Sequence, residues 1–260
     1  MKDRVIVITG ASAGIGAALA ELVVSRGAKV VLAARRLDEL AAVADRLGPA
    51  AHAVITDVTR RADVDHLRDT ALAHFGRVDC WINNAGRGIS RSVLDLTDDD
   101  LDAMITTNVR SVIYGAQAII PHFRERGRGH LITVSSLLGR IAFAPPRAAY
   151  SASKHAVNAL MTSLRLELKP IYADIHVSTF MPGVVATEFG NNALHGGMDS
   201  RAAHGAQPVG EVAEALAELI ERPRAEMYSR PGYRDMMARY FAAEDVGVLE
   251  GQPPFTTPRP

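Results

Sequence analysis

The sequence predicts an α/β fold, a doubly wound sheet of seven mainly parallel strands flanked by helices on both faces. Three observations carry this expectation. Short β-branched runs alternate with longer amphipathic stretches from the first residues to about residue 229. The runs are apolar along their whole length, as parallel strands covered on both sides are. A glycine-rich turn joins the first run to the first amphipathic stretch.

In order, strands are expected at 5–9, 29–34, 51–56, 79–83, 130–135, 175–180 and 225–229, with helices at 14–26, 37–47, 60–75, 98–126, 149–169 and 209–221. Gly27 closes the first helix. Thr97 caps the fourth, followed by Asp98, Asp99 and Asp100, whose charges suit a helix N-terminus. Gly127 and Gly129 close that long helix. No low-complexity linker interrupts the pattern, so residues 1–229 read as one domain. Within it, residues 188–208 are glycine-rich and aperiodic, a length of loop that is usually functional or disordered, and read as a substrate-binding lid. Residues 230–260, rich in proline and polar side chains, read as a C-terminal extension.

Composition excludes several classes. With 29 basic and 29 acidic residues among 260, the formal charge is zero, which leaves no electrostatic footprint for nucleic acid or an anionic membrane. The single cysteine, Cys80, allows no internal disulfide and no multi-cysteine metal site, and the nine histidines lack ligand spacing, so no metal is expected. Met1-Lys2-Asp3-Arg4 runs straight into Val5-Ile6-Val7-Ile8, without the separate apolar core of a signal peptide. No apolar run reaches the roughly 18 residues of a membrane span. The expected location is the cytoplasm.

The turn reads Thr9-Gly10-Ala11-Ser12-Ala13-Gly14-Ile15-Gly16. Between a strand and a helix, its glycines let the backbone approach a pyrophosphate held at the helix N-terminus, as in a Rossmann-type dinucleotide site. Gly10, Ser12, Ala13, Gly14, Ile15 and Gly16 are therefore candidate cofactor residues. The second strand ends Leu32-Ala33-Ala34-Arg35-Arg36. Ala34 stands where an acid would bind a free ribose 2′-hydroxyl, and Arg35 and Arg36 suit a 2′-phosphate. The pattern favours NADP(H) over NAD(H).

Tyr150 and Lys154 are four apart and share one helix face. A cation beside a phenol favours its charged form, and lowering a pKa of about 10 by about three units takes roughly 4 kcal/mol. A buried cation together with a cationic cofactor would supply it. Such a tyrosine exchanges protons near neutral pH, as alcohol–carbonyl interconversion requires.

Taken in order from Val5 to about Ser229, these motifs resemble the short-chain dehydrogenase/reductase family in its compact single-domain form. The resemblance implies that Asp57 and Val58 contact the adenine, and that Asn84, Ala85 and Gly86, in Asn83-Asn84-Ala85-Gly86, pass near the cofactor. It implies a catalytic set of Ser136, Tyr150, Lys154 and Asn108. Tyr150 serves as general acid or base, and Lys154 also bonds the nicotinamide ribose. Ser136 orients the reacting oxygen, and Asn108 holds a water that links Lys154 to solvent. Pro182, Gly183, Val185 and Thr187 then flank the nicotinamide. The Ser136–Tyr150 spacing is one residue longer than the family pattern, with the extra residue in Ala144-Pro145-Pro146-Arg147; Ser135 is the alternative serine.

The implied reaction interconverts a carbonyl and a secondary alcohol by hydride transfer. Leu137, Leu138, Ile141 and Phe143 favour a lipophilic small molecule, and Phe189, His195 and Met198 belong to the lid, where His195 and His204 read as solvent-exposed. Family members pair through helices corresponding to 98–126 and 149–169, implying a homodimer or homotetramer. The tail reaches either a neighbouring subunit or the active site. A non-catalytic cofactor-sensing protein and an epimerase or dehydratase of the same superfamily are the alternative functions.

Overall fold

The computed structural model describes residues 1–250, 252, 253 and 255. Residues 251, 254 and 256–260, part of the expected C-terminal extension, lie outside the described residues. Seven strands, β1 (Val5–Thr9), β2 (Lys29–Ala34), β3 (Ala51–Ile55), β4 (Cys80–Asn83), β5 (Arg128–Val134), β6 (Asp174–Met181) and β7 (Glu226–Tyr228), form one sheet in the order β3-β2-β1-β4-β5-β6-β7. Every pairing is parallel. The helices are α1 (Gly14–Ser25), α2 (Leu37–Leu47), α3 (Arg61–Phe75), α4 (Asp98–Met104), α5 (Ser111–Arg126), α6 (Ala148–Leu168), α7 (Val209–Glu221), α8 (Pro231–Phe241) and α9 (Val246–Glu250).

Side chains alternate across each strand, yet both sets are apolar because both faces are covered. Ile6, Ile8, Val30, Leu32 and Ile82 pack with Leu19, Leu40 and Leu216 of α1, α2 and α7. Val7, Val31, Trp81 and Leu131 pack with Leu67, Ile119, Phe123 and Val157 of α3, α5 and α6. The order runs outward through β2 and β3 on one side of β1 and through β4 to β7 on the other. The β1/β4 boundary is the topological switch point, where the helices that follow the two strands pack on opposite faces of the sheet and border a crevice.

Three expectations need correction. The long helix at 98–126 is interrupted: Ile105–Arg110 is a π-helical turn between α4 and α5. Gly127 closes α5 in the left-handed region at φ 67°, but Gly129 lies inside β5, under the Phe123 ring. The extension is not a polar arm throughout. Its start folds as α8 and α9, because Met237 and Phe255 are buried against Leu137 and Ile141. No helix among the described residues is long and apolar enough to cross a membrane.

Candidate active site

The loops after β1 and β4 are stitched together by one hydroxyl. Thr9 Oγ1 donates to Ile82 O (3.2 Å) and accepts from the amides of Asn84 (3.0 Å) and Ala85 (3.1 Å). The Asn84 amide returns the contact, donating to Thr9 O at 2.9 Å. Gly10 takes a φ of 67° and lies against Ala85, and a Cβ at Gly16 would stand 2.8 Å from Asn84 Nδ2. The glycines thus let α1, the turn and the β4 loop close on one another, leaving the α1 N-terminus open to the crevice.

The crevice continues into a cleft of about 940 Å³ along the carboxyl ends of β1, β4, β5 and β6. Gly10, Ala13, Gly14 and Ile15 line it at one end; Asn84, Ala85 and Gly86 follow; Ser136, Tyr150, Lys154, Pro182, Gly183, Val185 and Thr187 complete the wall. Gly16 supports this wall from behind. Ser12, in the turn after β1, and Arg35, Arg36, Asp57 and Val58, which follow β2 and β3, are not among its lining residues. There Arg36 Nη2 donates to Ser12 Oγ (3.1 Å) and its Nη1 pairs with Glu39 at 3.1 Å. Burial pushes the Asp57 carboxyl up, but hydrogen bonds from Thr59 and the charges of Arg35 and Arg60 outweigh it and hold the group below the usual carboxylate range.

Tyr150, Lys154 and Ser136 are all buried. Lys154 Nζ donates to Val134 O at 2.8 Å and lies 5.6 Å from the centroid of the Tyr150 ring. Ser136 Oγ accepts from Leu138 N (3.1 Å) and neighbours the phenol, whereas Ser135 Oγ is turned toward Lys154 O (3.4 Å). The expectation of a lowered phenol pKa does not describe the protein by itself. Burial pushes the Tyr150 phenol up to about 12, with Ser136 and the Arg147 guanidinium pulling the other way. Burial also pulls the Lys154 ammonium down to about 8. Both groups are thereby held closer to their neutral forms.

Asn108 is fully buried in the π-helical turn. Its Oδ1 accepts from Arg87 N (2.8 Å), and its Nδ2 donates to Arg87 O (2.9 Å) and Ser153 Oγ (3.0 Å). A Cβ at Gly86 would stand 3.3 Å from Asn108 Oδ1 and 3.6 Å from Lys154 Nζ, so the glycine keeps the space between them open. His195 is exposed, as expected, and its Nε2 also meets Asp100 Oδ1 at 2.6 Å, tying the 188–208 segment to the start of α4. His204 is exposed at the cleft. Of the apolar set at 137–143, Leu137, Leu138 and Phe143 line the cleft, while Ile141 is core.

Arg147, within the 144–147 stretch whose spacing is unusual, lines the wall three positions before Tyr150. Cleft residues that the sequence did not single out include two from the extension. Tyr233 and Met236 reach the cleft from α8. The i, i+3, i+4, i+7 pattern of Tyr233, Met236, Met237 and Tyr240 announced that helix, but the surrounding proline and polar residues masked it.

A glycine-bordered crevice at the switch point, running into a buried Tyr-x-x-x-Lys pair with a serine opposite, is the layout of a dinucleotide-dependent oxidoreductase. The family model described as short chain dehydrogenase matches residues 4–196. The chain is 37% identical over 235 residues to the uncharacterized oxidoreductase YxnA of Bacillus subtilis, a match covering 88% of this chain and 65% of that relative. Among solved structures, a short chain dehydrogenase/reductase from Burkholderia phymatum in complex with NAD has a TM-score of 0.86 at 26% identity, covering 100% of this chain and 98% of that one. An alcohol dehydrogenase from Thermococcus sibiricus complexed with 5-hydroxy-NADP has a TM-score of 0.78 at 28% identity, covering 89% and 98%. The chain belongs to the short chain dehydrogenase family and is an oxidoreductase of that family.

Proposed function

We propose that this protein is an NADP(H)-dependent oxidoreductase that interconverts a carbonyl and a secondary alcohol on a lipophilic small molecule. The observation that carries the reading is the convergence of Ser136, Tyr150 and Lys154 on the same cleft as the glycine turn. The donors and spaces fit a dinucleotide: the α1 N-terminus and glycines for a pyrophosphate, Asp57 and Val58 for the adenine, and Asn84, Ala85, Gly86, Pro182, Gly183, Val185 and Thr187 along the remainder. Ala34 leaves no carboxylate at the end of β2, and the exposed Arg35 and Arg36 supply the charge that suits a 2′-phosphate.

The cofactor, when bound, supplies or takes up the hydride. Tyr150 delivers a proton to the carbonyl oxygen in reduction and removes it in oxidation. Ser136 holds that oxygen and stabilises the charge developing on it. The ammonium of Lys154, tuned by burial, favours the phenolate when the proton leaves. Asn108, fixed by Arg87 and Ser153, positions a water between Lys154 and solvent. The same reading has the enzyme working in the cytoplasm as a homodimer or homotetramer; Leu101, Ile105, Leu160 and Leu166, exposed along α4, the π-helical turn and α6, support the assembly.

The test is NADPH oxidation against a panel of ketones, aldehydes and quinones, with NADH in parallel. We expect turnover with NADPH that Tyr150→Phe lowers by about 10²–10⁴-fold, the contribution typical of a general acid, while NADPH binding persists. Full activity in Tyr150→Phe would remove the tyrosine from the mechanism, and a preference for NADH would overturn the choice of cofactor.

A further inference from the structure

Arg147 is the residue preceding α6, and its guanidinium is half-buried in the cleft wall. Its backbone is fixed on both sides: Arg147 N donates to Ala144 O (2.8 Å), and Arg91 N donates to Pro146 O (2.9 Å). Its side chain is equally constrained. Nη1 donates to Ile89 O at 3.0 Å, and the guanidinium lies between two glycines. A Cβ at Gly88 would stand 3.2 Å from Nη1, and one at Gly197 would stand 2.9 Å from Nη2. Two loops therefore close on this group, and glycine in each makes room for it.

What the guanidinium lacks is a counter-ion. No carboxylate among the described residues pairs with it, and Nε and Nη2 make no hydrogen bond among the described residues, though neither is sealed from solvent. Of the other cations lining the cleft, Arg201 pairs with Asp199 at 2.7 Å and Glu188 at 3.5 Å, and Lys154, whose Nζ also donates only to a carbonyl, Val134 O, already has a place in the proposed proton transfer. A half-buried charge without a partner is costly, and the Nε/Nη2 edge of a guanidinium is the fork that matches the two oxygens of a carboxylate. Leu138, Phe143, Phe189 and Met236 make the neighbouring wall apolar.

We propose that Arg147 binds a carboxylate of the substrate, so that the substrate class is an oxo acid, or the corresponding hydroxy acid, with an apolar body, not a neutral ketone. This rests on the reading of the Tyr150 cleft as the site of carbonyl–alcohol chemistry, and it names Arg147 as the residue that sets specificity there.

The experiment is binding without turnover. Titration calorimetry on enzyme saturated with NADP⁺, and separately with NAD⁺, would use straight-chain 3-, 4-, 5- and 6-oxo carboxylates, each beside its methyl ester. A carbonyl compound facing oxidised cofactor does not react, so affinity alone is read. We expect at least one acid to bind tenfold or more tightly than its ester. Arg147→Gln should bring that acid to within about twofold of its ester, and Arg147→Lys, which keeps the charge but not the fork, should retain part of the preference. Thermal midpoints of both variants report whether they fold. Acids no tighter than their esters throughout the series, or an acid preference that survives in folded Arg147→Gln, would overturn the proposal. Because the readout is affinity, an acid preference that depends on Arg147 in a protein that never consumes NADPH would count against the reductase reading and leave the carboxylate site standing.

Discussion

At the scale of single residues, the buried ammonium of Lys154 carries a stability cost that the proposed mechanism would explain. Its pKa of about 8 in the folded protein lies below the roughly 10.4 of an unfolded chain. The unfolded state therefore binds the proton more tightly. The resulting penalty is fully present below pH 8, about 3 kcal/mol at pH 7, and is relieved as pH rises toward 10.4. Lys154→Met is expected to abolish turnover yet raise stability at pH 7 by about 1–3 kcal/mol, the lost hydrogen bond to Val134 O offsetting part of the gain. Urea denaturation at pH 7 and pH 10 checks this, since the difference should shrink to about 1 kcal/mol or less at the higher pH. Cofactor choice belongs to the same scale. Ala34→Asp with Arg35→Ser is expected to move the ratio of kcat/KM for NADPH over NADH by at least about tenfold toward NADH, as a restored ribose partner and a lost guanidinium act together. An unmoved ratio would mean that Arg35 plays no part in the choice.

At the scale of elements, the joint between α5 and β4 depends on one missing methyl group. A Cβ at Gly115 would stand 2.8 Å from Trp81 Nε1 and 3.0 Å from Asn83 Cγ. Those side chains are buried and bonded to each other, Trp81 Nε1 donating to Asn83 Oδ1 at 2.8 Å. Gly115→Ala gains about 1 kcal/mol of helix propensity but must displace both groups. The expected net result is a loss of about 1–2 kcal/mol, measured as a lowered urea midpoint. The π-helical turn ahead of α5 is the element least legible beforehand. Residues 98–126 carry one continuous helical period, whereas the widening at Ile105–Arg110 coincides with a long-range contact, Asn108 bonding both backbone groups of Arg87. The capping box at Thr97 and Asp100, by contrast, was readable, since a threonine before three aspartates is a local signal.

Across the whole molecule, the first of the C-terminal helices closes part of the cleft with Tyr233 and Met236. Tyr233 of α8 lies over Gly183, where a Cβ would stand 2.8 Å from Tyr233 Cζ, and Met237 and Phe255 share a cluster with Leu137 and Ile141. The glycine turn lies against Asn84, Ala85 and Thr187, not against α8. A chain ending at Arg230 keeps the ion pair from Arg230 Nε to Glu211 at 2.7 Å. It is expected to retain NADPH binding while KM for a carbonyl substrate rises by about tenfold or more, a change of about 1.4 kcal/mol. Fluorescence titration with NADPH beside steady-state kinetics separates the two effects.

The sequence by itself determined the parallel doubly wound sheet, the glycine turn after β1 and the Tyr150–Lys154 pair, because each is written in neighbouring residues: the apolar period of a strand, glycines at fixed offsets, two side chains four apart on one helix face. The tertiary structure alone decided what depends on residues far apart in the chain. It turned Ser136 rather than Ser135 to the phenol, pinned His195 on Asp100, brought Tyr233 and Met236 from a tail to the cleft, and left the Arg147 guanidinium without a counter-ion among the described residues. The direction of the Tyr150 and Lys154 shifts belongs here too. A spacing of four places a cation near a phenol, but only burial, which the whole fold creates, sets the cost of charging either one.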